Sequence, residues 1–286
     1  MKNKKLIIGL SVGLGIILTL IILIFTLFSL STVQIDFRTS LNNITASEEE
    51  IVKSGKFNYK SSVLFSNKKK YINRLEKNNP YLKVINIETK FPNKFIIHAK
   101  ERQELYAISY DGKYLICDEE FKVLNIVNEY ENLQTNAIEL DFDCEFEDDI
   151  KTGEFLNLKY SIMKNFYSMN LLNNRNYNEI KSIFKKISVF SYKNEKNNKK
   201  EVGIKFKTFD DRDVQINNIE FSLEYKLQLF YSVYSSIYDN VGVTDANGKT
   251  WTVEELSSAI IFIDNHLITK ESPRKKTDVY FLLKLN

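Results

Sequence analysis

Glycine, proline, cysteine and histidine are all scarce in this chain. Its 286 residues include nine glycines, three prolines, two cysteines and two histidines. Such composition excludes a collagen-like or Gly-rich linker protein, and a hydrophobic content of 43% excludes a disordered tail. The few cysteines and histidines show no spacing typical of zinc ligands, so we expect no metal site. The formal net charge is only +3 with mixed signs, which indicates no nucleic-acid partner.

One stretch lacks charge altogether. Residues 6–30 contain no acidic or basic side chain. As a helix they would extend about 37 Å, more than a hydrocarbon core of roughly 30 Å. Because Lys2, Lys4 and Lys5 precede the stretch, the positive-inside rule places residues 1–5 in the cytoplasm. The sequence therefore predicts one transmembrane helix, embedded in the lipid bilayer over residues 6–30, with residues 31–286 outside.

A cleaved secretory signal is the alternative interpretation of this stretch. Ser29 and Ser31 form a small-x-small pair that resembles a cleavage site. The apolar region of a signal peptide, however, has about 7 to 15 residues. The longer run favours a retained anchor, which a mature chain beginning near Thr32 would exclude.

The two cysteines lie in the part of the chain expected outside the cell. Cys117 and Cys144 could form a disulfide there. Nothing in their spacing favours the bond, and two separate strand residues are the simpler interpretation.

Two short helices are predicted after the first strand. Alternation over residues 33–37 indicates that strand. Ser47 and Glu50 form a capping box for a helix that ends near Gly55. Ser66 is the expected cap of the second helix, which has one apolar face. This helix must end before Pro80, because a residue that precedes proline disfavours the α conformation.

Two strands follow, joined by a turn at Phe91-Pro92-Asn93. Residues 85–90 and 95–100 both alternate between apolar and polar side chains. The order β-α-α-β-β predicts a three-stranded sheet with both helices on one face. Its predicted core contains Ile51, Ile72, Leu75, Ile85, Ile87, Phe95 and Ile97.

These residues also carry a family resemblance. The run NNPYLKVINIETKFPNKFIIHAKERQELYAI resembles the end of the POTRA domain of the FtsQ/DivIB cell division proteins. YDGKYLICDEEFKVL resembles the hairpin that enters the β domain of that family. The chain departs from the family pattern at Gln103-Glu104, where proline is common, and near Asn42, where a glycine is usual. The matching positions are Pro80, Tyr81, Phe91, Pro92, Asn93, Glu101, Arg102 and Asp118.

The resemblance implies a domain order. A cytoplasmic end over residues 1–5 and a transmembrane helix over 6–30 would precede a POTRA domain over 31–102. A mixed β domain would occupy 103–286. Since strands and helices are segregated along the chain, the fold class is α+β.

The second domain carries strand and helix patterns of its own. Asp111-Gly112 predicts a tight hairpin turn. Alternate residues over 141–147 are acidic and could bind calcium. A calcium site, however, needs oxygen ligands arranged around the ion by a loop, so these residues are instead predicted to form the solvent-exposed face of a strand. Phe155, Leu158, Ile162 and Phe166 predict one helix, and Tyr177, Ile180 and Phe184 a second. Ile204, Phe206 and Thr208 predict a strand after a charged loop over 193–201, and Leu223, Leu227, Phe230, Tyr234 and Ile237 a long helix.

One segment of the sequence ends in Gly-Lys-Thr, as a P-loop can. Residues 242–250, GVTDANGKT, have five residues between their glycines where a P-loop has four, so Asn247-Gly248 is predicted to be a turn. His98 is expected on the solvent face of a strand and His266 in a turn. No serine-centred nucleophile motif is present in the sequence. We therefore expect no cofactor, no small-molecule substrate and no enzyme activity.

Two functions remain. The resemblance implies a divisome scaffold that recruits FtsL-like and FtsB/DivIC-like proteins and, through them, the septal wall synthases. The alternative is a membrane-anchored extracytoplasmic enzyme of cell-wall metabolism or transport, with an active site that no motif reveals.

The C-terminal segment is predicted to be a strand. Residues 279–285 follow Pro273 and the basic run 274–276, and the first five are apolar. At the edge of a sheet they would offer backbone groups to a partner strand. The resemblance implies the same, because FtsQ-type β domains hold their FtsB-type partner at this end. A central strand sealing the core is the equal alternative. The candidate partner residues are Val279, Tyr280, Phe281, Leu282 and Leu283.

Overall fold

The computed structural model describes the backbone of residues 2–128, 137–142, 150–158, 161–194, 198–265 and 277–283. In residues 2–11, 142, 161, 257, 265 and 277–283 it describes the backbone alone. The chain divides into two compact units, Met1–Gln103 (unit 1) and Glu104–Asn286 (unit 2). Cys144, the acidic residues 143–147, His266 and the basic run 274–276 lie outside the described residues.

Unit 1 begins with a long helix and continues as a mixed layer of helices and strands. Its elements are α1 (Lys2–Leu27), β1 (Thr32–Phe37), α2 (Glu48–Ser54), α3 (Lys68–Asn78), β2 (Leu82–Lys90) and β3 (Lys94–Glu101). Large apolar side chains of α1 are exposed along its length from residue 12. Among the residues whose side chains the structure describes, no helical stretch is both long enough and apolar enough to cross a membrane.

The three strands of unit 1 form one sheet in the order β1-β3-β2. β1 runs parallel to β3, with Val33 opposite Phe95, and β2 runs antiparallel to β3. A capping box between Ser47 and Glu50 starts α2, and Gly55 ends it. The predicted β-α-α-β-β order is confirmed because alternation and caps are local signals that the packing does not override.

The core of unit 1 lies between the sheet and the two short helices. Ile51, Leu75, Ile87, Phe95 and Ile97 are buried there as predicted, and Ile72 packs against them half-buried. These side chains come from α2, α3, β2 and β3, so every layer of the unit contributes to one core.

Two local predictions in unit 1 are wrong. Ile85 is 44% exposed, because the β2–β3 register shifts between Val84 and Asn86 and leaves Ile85 as the extra residue of a bulge. The cap of α3 is Asn67, whose side chain accepts a hydrogen bond from the Lys70 amide at 3.1 Å. The Ser66 hydroxyl instead donates to the Ser62 carbonyl.

Unit 2 is rich in β-structure. Its strands are β4 (Tyr106–Tyr110), β5 (Lys113–Cys117), β6 (Val123–Val127), β7 (Ile138–Phe142), β8 (Phe184–Lys193), β9 (Lys200–Thr208), β10 (Asp213–Ile216), β11 (Val243–Thr244), β12 (Thr250–Trp251), β13 (Ala259–Asn265) and β14 (Thr277–Leu283). Its helices are a 3₁₀ helix (Ser161–Asn165), α4 (Phe166–Leu172), α5 (Tyr177–Ile183), α6 (Leu223–Tyr238) and α7 (Val253–Ser258).

In the described part of the chain, nine of these strands form one sheet. The order is β14-β13-β10-β9-β8-β7-β4-β5-β6, and β11 and β12 form a separate hairpin. α6 buries the predicted stripe of Leu223, Leu227, Phe230, Tyr234 and Ile237. Phe230 packs edge-on against Phe206 of β9, with ring centroids 4.9 Å apart, which ties α6 to the middle of the sheet.

The helix predicted from Phe155 to Phe166 is wrong in its first half. Phe155 is 54% exposed and lies in an isolated bridge with Lys122. The Leu156 amide donates to the Phe121 carbonyl at 2.9 Å, so this segment is held by a distant part of the chain instead of by helical hydrogen bonds. The next helix that the structure describes is the 3₁₀ helix Ser161–Asn165. Phe184, predicted on α5, is buried as the first residue of β8.

Both predicted tight turns are present. Asp111 and Gly112 link β4 and β5 with positive φ angles of 47° and 71°, as a two-residue hairpin turn requires. Asn247 and Gly248 lie in the turn between β11 and β12. The Asp245 side chain accepts hydrogen bonds from the amides of Asn247 and Lys249, so the GVTDANGKT segment folds as a hairpin.

Candidate interaction surfaces

Glu101, at the end of β3, holds the loop that follows β1. Its carboxylate accepts hydrogen bonds from the backbone amides of Asn42 at 2.9 Å, Asn43 at 2.5 Å and Ile44 at 2.8 Å. The side chain is nearly inaccessible to solvent, with 3% exposure. Three amides converging on one buried carboxylate fix the loop against the sheet. This is the segment near Asn42 where the sequence lacks the usual glycine of the resembled family.

Arg102 joins α3 to β2. Its guanidinium lies 3.2 Å from the Glu76 carboxylate on α3 and donates to the Leu82 carbonyl, and its own amide donates to the Tyr81 carbonyl at 2.7 Å. Glu76 also accepts from the Val84 amide. The Pro80-Tyr81 connection is therefore held from both sides, and α3 ends before it as predicted.

The Phe91-Pro92-Asn93 turn lies at the other end of the sheet, beside the end of α1. The Phe91–Pro92 peptide bond is cis. The Asn93 carbonyl accepts a hydrogen bond from the Ser31 amide at 2.8 Å. Phe91 is 64% exposed, and its ring meets that of Phe28 edge-on at 6.1 Å. The turn therefore joins the β2–β3 hairpin to the chain that leaves α1.

Asp118 organises the turn between β5 and β6. It is fully buried, and its Oδ1 atom accepts hydrogen bonds from the amides of Glu120 and Lys122, each at 2.9 Å. A carboxylate that binds the backbone in this way fixes the turn.

The structure does not gather the eight motif residues into one site. Pro80, Tyr81, Glu101 and Arg102 lie at one end of the unit 1 sheet. Phe91, Pro92 and Asn93 lie at the other end, about 25 Å away along an eight-residue strand. The hydrogen bonds of Glu101, Arg102 and Asp118 join separate segments of the backbone, so these motif positions contribute to the fold.

β14 lies at an edge of the nine-stranded sheet. It pairs antiparallel with β13, and within the described residues no other strand pairs with it. Val279, Tyr280, Phe281, Leu282 and Leu283 all belong to this strand. Of the two alternatives for the C-terminal strand, the described topology favours the edge.

The backbone determines which β14 amides face outward. On β13 the Ile263 carbonyl accepts from the Asn217 amide, on the β10 side. Because successive residues direct their backbone groups to alternate sides, Ile260 directs its groups toward β14, where it faces Leu282. Leu282 is therefore in a hydrogen-bonded pair with β13. The amide of the next residue, Leu283, points away from β13 toward the open edge.

His98 lies between two carboxylates on the sheet face of unit 1 opposite the helices. Its Nδ1 atom is 2.8 Å from an Asp36 oxygen on β1, and its Nε2 atom is 3.0 Å from a Glu88 oxygen on β2. The hydrogen bond to Glu88, then that to Asp36, raises the pKa of His98 above its usual value. The same contact lowers the pKa of Glu88. The prediction of a polar-face residue missed these partners, although the alternation places Asp36, Glu88 and His98 on one face.

The described side chains offer neither a metal cluster nor a reactive thiol. Among them no group of three or more histidine, cysteine, aspartate or glutamate side chains could hold a metal ion. Cys117 is a buried free thiol whose pKa is raised well above its usual value by burial and then by Asp118, which disfavours the reactive thiolate.

Sequence reasoning also missed a buried lysine. Lys226 on α6 is fully buried, and its ammonium group donates to the carbonyls of Asn217 and Asn218 at 2.7 and 2.6 Å. It fastens α6 to the chain after β10. Its place on the buried side of the α6 stripe, one residue before Leu227, was the available signal.

Comparison with known proteins agrees with this architecture. The family model described as the POTRA domain, FtsQ-type, matches residues 29–102. The short helices α2 and α3 and the three-stranded sheet of unit 1, which lie within this match, therefore form an FtsQ-type POTRA domain.

The relatives are cell division proteins. Cell division protein DivIB of Clostridium tetani (strain Massachusetts / E88) is 27% identical over 165 residues, which cover 52% of this chain and 59% of that protein. Cell division protein DivIB of Clostridium botulinum (strain Hall / ATCC 3502 / NCTC 13319 / Type A) is 26% identical over 133 residues, which cover 46% and 50%. The chain thus spans between one half and three fifths of the curated relatives it matches. It is a distant homologue of the DivIB cell division proteins.

Proposed function

We propose that this protein is a non-catalytic scaffold of the bacterial division machinery, of the FtsQ/DivIB type. The observation that carries the proposal is the FtsQ-type POTRA domain at residues 29–102, together with the DivIB homology. Its role is to bring partners together at the septum, where the division wall is synthesised.

The proposed location is the plasma membrane at the division septum. Residues 1–5 are cytoplasmic in this proposal, residues 6–27 of α1 cross the bilayer once, and the POTRA domain (29–102) and the β domain (103–286) lie outside. The uncharged run of 25 residues supports the span. The described apolar side chains of α1 also support the span, because they are exposed, with Ile16 at 57% and Ile22 at 61%. Exposed apolar side chains along a helix are stable in an apolar environment such as the bilayer.

The proposed partners are FtsL-like and FtsB/DivIC-like membrane proteins and, through them, the septal wall synthases. An FtsB/DivIC-like strand adds to the open edge of β14. Outward amides such as that of Leu283 give affinity through backbone hydrogen bonds, and alternate side chains give selection. In this proposal the motif residues of the POTRA domain keep the fold that presents these surfaces and do not themselves touch the partner.

A fluorescent fusion to the full chain tests the proposal in dividing cells. We expect a band of fluorescence at midcell that requires residues 29–286. A fusion that retains only residues 1–28 is the matched control and is expected to spread evenly over the membrane. An even distribution of the full-chain fusion would contradict the scaffold role.

A further inference from the structure

One segment of unit 1 has a single sign of charge. Residues 51–75 contain seven basic side chains and no acidic one. The structure folds this segment as the end of α2, the loop over residues 58–66 and most of α3. Glu50 interacts with Lys53 and Glu88 with Lys68, but no carboxylate lies within the segment itself, so the segment carries a net positive charge that attracts anions. The seven residues are Lys53, Lys56, Lys60, Lys68, Lys69, Lys70 and Arg74.

The loop within this segment exposes large apolar side chains. Tyr59 is 46% exposed, Leu64 is 44% exposed and Phe65 is 74% exposed. Phe91, in the neighbouring hairpin turn, is 64% exposed. Apolar side chains clustered within a basic rim are typical of a surface that contacts a membrane or another macromolecule.

The loop is fastened to the end of α1. The Leu30 amide donates to the Ser61 carbonyl at 3.0 Å, and the Val63 amide donates to the Phe28 carbonyl at 2.8 Å. The hydroxyl of Ser29 donates to the Tyr59 carbonyl. These hydrogen bonds hold the loop at the level where α1 ends.

Aromatic contacts continue the same attachment. The rings of Phe25 and Phe65 are 6.4 Å apart, and those of Phe28 and Phe91 are 6.1 Å apart. Phe65 therefore lies beside the last full turn of α1. A side chain at that level is at the depth where a bilayer-spanning helix leaves the hydrocarbon.

Beside Phe65 is a basic cleft. It has a volume of ≈ 390 Å³ and is lined by Lys56, Lys70 and Arg74 together with Phe65. Arg74 lines this cleft and donates to the Lys56 carbonyl through Nη1 at 3.3 Å, which uses one of the five N–H groups of its guanidinium. The cleft thus joins guanidinium and ammonium groups, which bind phosphate, to an exposed aromatic ring.

We propose that the loop over residues 58–66 and its basic rim form a binding surface for anionic phospholipid headgroups. The headgroup phosphates lie against the lysines and Arg74, and Phe65 enters the upper acyl region. The inference rests on the proposed membrane anchor, since the lipids belong to the bilayer that contains α1. It adds a specific contact between the POTRA domain and the surface of that bilayer, which the anchor alone does not require.

The test uses the full chain in vesicles of phosphatidylcholine with phosphatidylglycerol. Phe65→Trp introduces a fluorescent reporter into the loop (the loop reporter). Ile85→Trp introduces the control reporter, because Ile85 is also exposed but lies six residues along β2 from the Phe91 turn, about 20 Å away. The native Trp251 is a constant background. We expect bromine-labelled lipids to quench the loop reporter and to leave the control reporter unchanged, with a blue shift of the loop reporter's emission.

Charge reversal tests the headgroup contact. Lys60→Glu with Lys70→Glu, in the Phe65→Trp chain, is expected to lose most of the quenching. The fold should tolerate this change, because an acidic residue in the first turn of α3 is favourable to the helix. Lys151→Glu with Lys164→Glu changes two exposed lysines of unit 2 by the same charge and should leave the quenching unchanged.

The failures are distinguishable. Release of the chain from vesicles by alkaline carbonate would overturn the membrane anchor. A chain that is retained, with the loop reporter and the control reporter quenched equally, would overturn only the lipid surface. Quenching that is equal in phosphatidylcholine alone and insensitive to the charge reversal would overturn the anionic headgroup. Shielding of the loop reporter that appears only when a co-purified protein is added would make the surface a protein interface and overturn the inference.

Discussion

The backbone amide of Asn42 donates hydrogen bonds to both carboxylate oxygens of Glu101, at 2.9 and 3.1 Å, although the two residues are 59 positions apart in the sequence. The contact closes the loop after β1 onto the last residue of β3. A long-range bond to a buried charge of this kind contributes more than a neutral one.

Glu101→Gln is expected to loosen this loop. The amide group carries no charge and has one acceptor oxygen, so the three converging amides lose part of their bonding. We expect a loss of about 1–3 kcal/mol in the free energy of unfolding. Hydrogen exchange should accelerate at residues 42–44 more than at the buried centre of β3, such as Ile97. Unchanged exchange at residues 42–44 would contradict the assigned role.

Leu75→Ala should destabilise the POTRA domain. Leu75 is fully buried between α3 and the sheet, so truncation leaves a cavity and costs about 2–5 kcal/mol. Ile85→Ala is the matched control, because Ile85 is 44% exposed in the bulge of β2, and its loss should change stability by less than about 0.5 kcal/mol. Thermal unfolding of residues 29–103 measures both. Equal effects would show that the face of α3 is wrongly assigned.

The Asp36–His98–Glu88 arrangement predicts a pH dependence. The His98 pKa is raised above 6.5, so its contribution to stability is complete below pH 6.5 and is lost as the pH rises through the folded pKa. The Glu88 pKa is lowered below 4.5, so its contribution is complete above pH 4.5 and is lost as the pH falls through the folded pKa. The POTRA domain should be most stable between these limits.

His98→Gln should remove the alkaline side of that profile. Thermal unfolding of residues 29–103 on either side of the raised His98 pKa measures the difference, and the histidine ring resonance that disappears in the variant reports the pKa directly. If the variant still lost the same stability at alkaline pH, another titratable group would be responsible for that loss.

Two prolines distinguish the proposed role of β14. Leu283→Pro removes an amide that faces the open edge, so we expect the domain to stay folded by circular dichroism and co-purification with the FtsB/DivIC-like partner to be abolished. Leu282→Pro removes an amide of the β13–β14 ladder and should destabilise the sheet. If both variants unfold the domain, the partner site lies elsewhere.

Local sequence signals determined much of the fold. The Ser47–Glu50 capping box, the end of α3 before Pro80, the Asp111-Gly112 hairpin turn and the apolar stripe of α6 each depend on residues within a turn or two of each other. Their structures follow from backbone sterics and side-chain periodicity, which any packing must accommodate. The POTRA motif residues further indicated, from the sequence, which domain and which family these elements resemble.

Tertiary structure decided what depends on distant partners. Ile85 faces solvent because β3 imposes a bulge on β2, and Phe155 is not helical because Leu156 pairs with Phe121. Glu76 is bound to Arg102, and Glu101 to the loop at Asn42, through contacts that no local pattern encodes. The apolar sequence of β14 suits either a central or an edge position. Only the sheet of the described residues, in which β14 pairs with β13 alone, places it at the edge, because a strand's place in a sheet depends on which neighbours bind its backbone groups.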